Sequence, residues 1–177
     1  MTEVPGFFRH PGDGWVECAC GRRHWGLVGA AGLLLVRRDS QGLVTHVVLQ
    51  HRSLESHQGG TWGVPGGAIV PGETAVEGAL RESQEEAGIA PEAVRVLGEH
   101  VLDHGPWSYT TVLAEEAPGH VVDVRPTDTE SLDVVWVPAD EVTDRELLPA
   151  FAAAWPGLRA RVDALGPSAS DPDAAVS

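Results

Sequence analysis

Cysteine is scarce in this chain: only Cys18 and Cys20 occur among 177 residues. One residue separates them, which makes a bridge between them geometrically poor. Two cysteines do not make a secreted disulfide scaffold. Long apolar runs are missing too. No stretch approaches the roughly 18–20 residues that a membrane span needs. Met1 to Asp13 lacks the basic-then-apolar pattern of a signal peptide. The expectation is a cytoplasmic protein with no membrane partner. Positive charge is also short: 12 Lys and Arg face 26 Asp and Glu, for a formal net charge of −14. Such a field repels anionic surfaces and disfavours nucleic acid as a partner. An enzyme for an anionic substrate would need cations to overcome it, whereas solubility alone also accounts for much of the excess.

What is present suits one ordinary domain with a full core. The hydrophobic fraction is 42% and the charged fraction 21%. Residues 1–24, with Gly6, Pro11, Gly12 and Gly14, read as an N-terminal extension. Residues 25–165 read as the domain. Residues 166–177 lack apolar bulk and read as a disordered tail. Gly26 to Arg38 contains the apolar run Leu33-Leu34-Leu35-Val36, which predicts a buried strand. The β-branched run Leu43 to His51 would pair with it as a hairpin. Arg52 to Thr61 reads as a loop and Trp62 to Val64 as a short strand. Further strands are expected over Val94 to Leu102, Trp107 to Ala114 and Leu132 to Val137. Leu147 to Leu165 reads as an amphipathic helix that Pro149 and Pro156 should break or kink. Strands interleaved with helices give a mixed α/β or α+β domain.

The clearest single element is the helix after Thr74. Thr74 as N-cap and Glu77 three residues later form a capping box. Gly88 stands where a left-handed residue ends a helix, with Pro91 close behind. Val76, Ala79, Leu80, Ser83 and Ala87 share one face. Glu82, Glu85 and Glu86 fall at i, i+3 and i+4 on another. Like charges at that spacing repel by roughly 0.2–0.5 kcal/mol per pair. A bound cation would remove that cost. Mg²⁺ prefers oxygen ligands, and the preceding Gly66-Gly67 lets a backbone carbonyl approach. Carboxylate-held divalent ions typically engage phosphate oxygens and activate water. The triple alone also fits a solvated helix face with ordinary i,i+4 ion pairs.

The longer pattern is more specific. Gly67, Glu73, Arg81-Glu82, Glu85-Glu86, Gly88 and Ile89 follow G-x5-E-x7-R-E-U-x-E-E-x-G-U, where U is aliphatic. On these residues the chain resembles the Nudix hydrolase family, nearest to its mutator-type nucleoside triphosphate pyrophosphohydrolase branch. Ser83 departs from the first aliphatic position, on the packing side of the helix. The resemblance implies an α/β/α sandwich around a mixed sheet and hydrolysis of a nucleoside diphosphate linkage with Mg²⁺ or Mn²⁺. It implies Glu85, Glu86, Glu82 and the Gly66 carbonyl as metal ligands. Glu82, Glu86 or Glu130 would activate the water, with Glu130 six residues before Trp136. Glu73 and Arg81 would pair structurally. Arg52, Trp62 and Trp107 are the candidate substrate contacts, although aromatic residues in strands are more often core. The expected substrate is a nucleoside triphosphate, oxidised or not, cut to monophosphate and pyrophosphate. ADP-ribose, nucleotide sugars and dinucleoside polyphosphates are the alternatives, followed by a non-catalytic nucleotide-sensing module. Phe151 lies near where the oxidised-guanine branch places a base-reading Asn. A homodimer is compatible with the resemblance.

Two further groups attract attention. Cys18, Cys20 and His24, with His10 as a fourth ligand, suggest a zinc site. Structural zinc usually takes Cys-x2-Cys spacing, and no second cysteine pair exists, so a turn with two free thiols is favoured. His100 and His104 flank Asp103 and offer titratable groups to substrate phosphates, although surface or structural histidines are commoner.

Overall fold

The structure is a computed structural model that describes residues 9–166. Residues 1–8 of the expected extension and 167–177 of the expected tail lie outside the described residues. Seven strands form one mixed sheet. β3 (Ala30–Arg38), β4 (Val44–Arg52), β5 (Trp62–Gly63), β7 (Val94–Asp103) and β8 (Ser108–Glu116) run in the order β5-β4-β3-β8-β7. β6 (Gly66–Ala68) pairs with β3, and β9 (Ser131–Pro138) pairs with β4. Only β3 and β8 run parallel, with Leu33 opposite Val112; the other pairs are antiparallel.

β3 explains why its sequence is an unbroken apolar run. It is covered on both faces, as central strands of such sheets are. Leu33 and Leu35 join Val48, Ala79, Ala87 and Ile89 on the face of α1 (Ala75–Ala87). Leu34 and Val36 join Val47, Leu49, Phe151, Trp155, Leu158 and Val162 on the face of α2 (Pro149–Leu165). Helix, sheet and helix make the expected three layers.

Three local expectations are corrected. The glycines before α1 are not only loop: Gly66 and Gly67 pair with Gly32 and Ala31 as strand β6. Pro149 opens α2 at its first turn, where its missing N–H costs nothing. Pro156 sits inside α2, and the helix runs through it. Buried Phe151, Trp155, Leu158 and Val162 hold both halves to the sheet, so tertiary packing outweighs the local penalty. Finally, the extension carries structure of its own. β1 (Trp15–Glu17) and β2 (Arg23–Trp25) form a separate antiparallel pair, with Cys18 to Arg22 as its turn. Among the described residues no helix is long and apolar enough to cross a membrane.

Candidate active site

α1 is held at both ends by the devices its sequence specifies. The Thr74 side chain accepts from the Glu77 N–H, and the Glu77 carboxylate accepts from the Thr74 N–H. Gly88 is left-handed at φ 68°, and its N–H donates to the Gln84 carbonyl at 3.1 Å. Ser83, fully buried, donates its hydroxyl to the Ala79 carbonyl at 2.5 Å. That bond satisfies the one polar atom on the packing face.

Between those ends the helix presents its carboxylates toward β6. Glu82 and Glu86 are buried, whereas the Glu85 side chain remains 36% exposed. Glu86 Oε2 accepts a hydrogen bond from the Gly66 N–H at 2.9 Å. The strand thus points a donor at Glu86, where the resemblance implied a Gly66 carbonyl at the metal. The glycines are required by space. A Cβ on Gly67 would lie 2.7 Å from the Glu82 carboxyl carbon, and a Cβ on Gly66 would lie 2.4 Å from the Ala31 carbonyl oxygen.

Arg81 organises the approach to the helix. Its Nε donates to Glu73 Oε1 at 2.6 Å and its Nη2 to Glu73 Oε2 at 3.1 Å. Nη2 also donates to the Ala68 carbonyl, and Nη1 donates to Glu82 Oε1 at 2.6 Å. One guanidinium therefore ties the loop, β6 and the helix together. Burial opposes its charge, yet the Glu73 and Glu82 carboxylates more than offset that and raise its pKa. The same pair holds Glu73 below the ordinary carboxylate range, through Arg81 above all. Glu82 is pushed up by burial, and Glu86 well up by burial and by the nearby Glu82 and Glu130.

Glu130 reaches this cluster because the chain before β9 closes the end of α1. The last carbonyls of a helix lack internal partners. Here the N–H groups of Arg125 and Thr127 donate to the Ala87 and Glu86 carbonyls, and the Thr127 hydroxyl donates to the Glu85 carbonyl. That seam delivers Asp128 and Glu130 to Glu86, with oxygens of all three within 4.8 Å of one another. Sequence reasoning missed Asp128, which lies two residues from the Glu it did select. It also missed Arg9 and His10. Arg9 pairs with Asp128 and Glu130 at 3.3 Å each, and His10 Nε2 lies 3.2 Å from Glu85 Oε2. Asp13 positions both by accepting from their backbone N–H groups. His10, weighed above as a fourth ligand beside the cysteines, sits instead with Glu82 and Glu85.

The candidate substrate residues part company. Arg52 ends β4, and its guanidinium donates only to the His57 carbonyl, with no carboxylate partner among the described residues. Both Arg52 and Glu86 act on the Tyr109 hydroxyl, whose burial pushes its pKa up to about 12. The two tryptophans are less available. Trp62 is stacked on His51 with Arg145 over its ring. Trp107 is 8% exposed, stacked on His24, and donates Nε1–H to the Trp25 carbonyl. Trp107 thus packs against β2. Phe151 faces the core from α2. His100 and His104 are also drawn elsewhere, to Arg161 and to Cys18 and His24.

Two groups of carboxylates thus lie along α1: Glu82 and Glu85 with His10, and Glu86 with Asp128 and Glu130. Among the described residues, no Arg or His is recorded as an ion-pair partner of Glu86. A buried carboxylate with only a neutral donor is the arrangement that a hard cation completes.

Comparison with known proteins agrees with this geometry. A family model described as NUDIX domain matches residues 26–158. A nucleoside triphosphate pyrophosphatase/Nudix hydrolase fusion protein of Bifidobacterium longum (strain NCC 2705) is 58% identical over 156 residues. The match covers 88% of this chain but 32% of that protein, so the chain spans about a third of its length. A protein of Mycobacterium tuberculosis named putative 8-oxo-dGTP diphosphatase 3 is 46% identical over 157 residues, covering 85% of this chain and 70% of that one. Among solved structures, a Nudix hydrolase from M. smegmatis, RenU, superposes with a TM-score of 0.74 at 42% identity. That match covers 90% of this chain and 100% of RenU.

Proposed function

The chain belongs to the NUDIX family, and from that premise we propose that it hydrolyses a nucleoside triphosphate to the monophosphate and pyrophosphate. The observation that carries this reading is the pair of acidic groups at α1, Glu82 with Glu85 and Glu86 with Asp128 and Glu130. The relatives named for nucleoside triphosphate and 8-oxo-dGTP substrates support a purine nucleoside triphosphate, oxidised or not.

A divalent metal, general for this family, fits the donor set, which is entirely carboxylate oxygen. Glu82, Glu85 and Glu86 would hold it, with Mg²⁺ or Mn²⁺ as the proposed ion. When bound, such an ion neutralises charge on phosphate oxygens and acidifies a water. The chain's own residues supply the rest. Arg81 bonds both Glu82 and Glu73, which ties the loop to the helix. Arg52, a cation without a carboxylate partner among the described residues, binds phosphate oxygens of the incoming nucleotide. Water attacks phosphorus as the bond to the leaving pyrophosphate breaks. Its proton passes to a carboxylate. We assign this role to Glu130, whose side chain is 48% exposed and whose 3.3 Å pair with Arg9 is open to solvent, whereas Glu82 is held at 2.6 Å by Arg81 and Glu86 is buried. Cytoplasmic nucleotide pools are the proposed source of substrate.

A panel of ordinary and oxidised nucleoside triphosphates, ADP-ribose, nucleotide sugars and dinucleoside polyphosphates tests this reading with Mg²⁺ and with Mn²⁺. Labelled water shows which phosphorus is attacked. Turnover of triphosphates to labelled monophosphate and pyrophosphate is the expected result. Turnover confined to ADP-ribose or to dinucleoside polyphosphates overturns the substrate assignment, and inertness toward every diphosphate overturns the activity. Sedimentation of the same preparation separates monomer from homodimer.

A further inference from the structure

A second cluster of metal-ligating groups lies apart from the acidic site. Cys18 and Cys20 sit in the turn between β1 and β2, His24 lies in β2, and His104 lies in the turn between β7 and β8. Their ligand atoms lie within 4.8 Å of one another. Cys20 Sγ is 3.2 Å from His24 Nε2, His24 Nε2 is 3.2 Å from His104 Nδ1, and Cys18 Sγ is 3.7 Å from His104 Nδ1. The edges of a tetrahedron with Zn–N of 2.0–2.1 Å and Zn–S near 2.3 Å are about 3.3 Å for N–N and about 3.6 Å for S–N. The His24–His104 separation of 3.2 Å and the Cys18–His104 separation of 3.7 Å lie close to those edges, and the Cys20–His24 separation of 3.2 Å is shorter than the S–N edge, so Cys20 would move outward by a few tenths of an ångström.

From this geometry we propose that Cys18, Cys20, His24 and His104 bind one structural Zn²⁺. Both thiols are free in the structure, and the proposal goes beyond that reading by adding His104, which is 86 residues from Cys18 in sequence.

The surroundings are those of a closed structural site. The Cys20 N–H donates to Cys18 Sγ at 3.5 Å, which fixes that side chain within the turn. The Cys18 N–H donates to the Arg22 carbonyl, and left-handed Gly21 completes the turn that brings both sulfurs to one side. The His24 ring is stacked on Trp107, with centroids 4.1 Å apart and planes 12° apart, so its orientation is set by packing. The His104 N–H donates to the Trp107 carbonyl, which orients the opposing turn. Thiolate and imidazole ligands select zinc over the hard ion suited to the carboxylates on α1. Bound there, zinc cross-links the β1–β2 pair to the β7–β8 turn. The same N-terminal region carries Arg9 and His10 to the acidic cluster, so the zinc site steadies that approach as well.

The test is metal analysis of the full chain after dialysis against metal-free buffer, with thiol titration under native conditions. One zinc per chain is expected, with both thiols protected until a chelator removes the metal. Cobalt substitution should give thiolate-to-cobalt charge transfer and the visible bands of a tetrahedral centre. His104→Ala should lose the zinc, and His104→Cys should keep it and shift the cobalt spectrum toward three sulfurs. Should His104→Ala fail to fold, the cobalt spectrum of the unaltered chain decides alone. Fully reactive thiols with no retained zinc overturn the proposal, as does a Cys18–Cys20 disulfide in freshly prepared protein. Zinc that survives His104→Ala but is lost in Glu86→Gln also overturns it, because it would then belong to the acidic site.

Discussion

The backbone N–H of Gly66 donates to Glu86 Oε2 at 2.9 Å, across 20 residues of sequence. That bond couples strand β6 to the most deeply buried carboxylate of α1. One neutral donor is a weak match for a buried charge with Glu82 and Glu130 nearby, and the Glu86 pKa is raised accordingly. An acid whose folded pKa is raised favours the folded state in its protonated form. The stability it contributes is present at low pH and is lost as pH rises from the ordinary carboxylate range through the raised value. Metal-free protein should therefore melt at lower temperature as pH rises through that window. Glu86→Gln should flatten this dependence and keep the Gly66 contact through its amide oxygen. Melting curves with and without Mg²⁺ check this: the ion should raise the unaltered chain's Tm at neutral pH and leave the variant's nearly unchanged. The variant should also lose at least about a hundredfold in kcat.

The position of Glu86 was legible in the sequence because everything that places it is local. The capping box at Thr74 and Glu77, the stop at Gly88 and the spacing of the box lie within a single loop–helix–turn. What surrounds Glu86 was not legible, because it depends on chain closure. Asp128 is near Glu86 only because Arg125 and Thr127 satisfy the exposed carbonyls of α1. Arg9 and His10 arrive through a turn that Asp13 organises, 75 residues from Glu85. His104 meets the cysteines only when the β7–β8 turn folds beside β2. Pro156 misled for the opposite reason: a local rule was outweighed by the buried face of α2.

Arg81 makes four hydrogen bonds, to both oxygens of Glu73, to Glu82 and to the Ala68 carbonyl, and an ion pair with Glu85 at 3.6 Å. Arg81→Lys keeps the charge and loses the planar fork that spans them. Denaturant unfolding should show a loss of about 2 kcal/mol, below the range for a fully buried pair because the guanidinium is partly exposed. Steady-state kinetics should show kcat falling more than KM rises, since Glu82 loses its anchor while Arg52 is untouched.

Ser83 is the one departure from the aliphatic pattern of the box, and its hydroxyl is satisfied by the Ala79 carbonyl. That carbonyl belongs to the helix ladder in any case, so Ser83→Ala strands no buried partner. Thermal unfolding should change by less than about 1 kcal/mol. Ser83→Leu restores the aliphatic type but must fit beside Ala79, Ala87 and Ile89 in a filled layer. It should destabilise by about 1–3 kcal/mol through overpacking. A gain in stability for the leucine variant would show that this layer holds spare room.

The two glycines of β6 should fail in opposite ways when each is changed to alanine. At Gly67 the new Cβ would meet the Glu82 carboxylate, the mobile end of a side chain, at 2.7 Å. The carboxylate can move, so the fold should survive with a Tm close to that of the unaltered chain. Moving it shifts a proposed metal ligand, and positional errors of about 1 Å can cost about a hundredfold in rate. At Gly66 the new Cβ would lie 2.4 Å from the Ala31 carbonyl oxygen and 2.5 Å from the Gly32 Cα, both backbone atoms of β3. Those cannot move without parting β6 from β3, and the Gly66 N–H would leave Glu86 with them. Gly66→Ala should therefore lose stability and activity together, whereas Gly67→Ala should lose activity alone. Melting temperature and kcat measured side by side for the two variants separate these outcomes. Equal losses of Tm in both would mean that Glu82 is held more rigidly by Arg81 than its side-chain freedom implies.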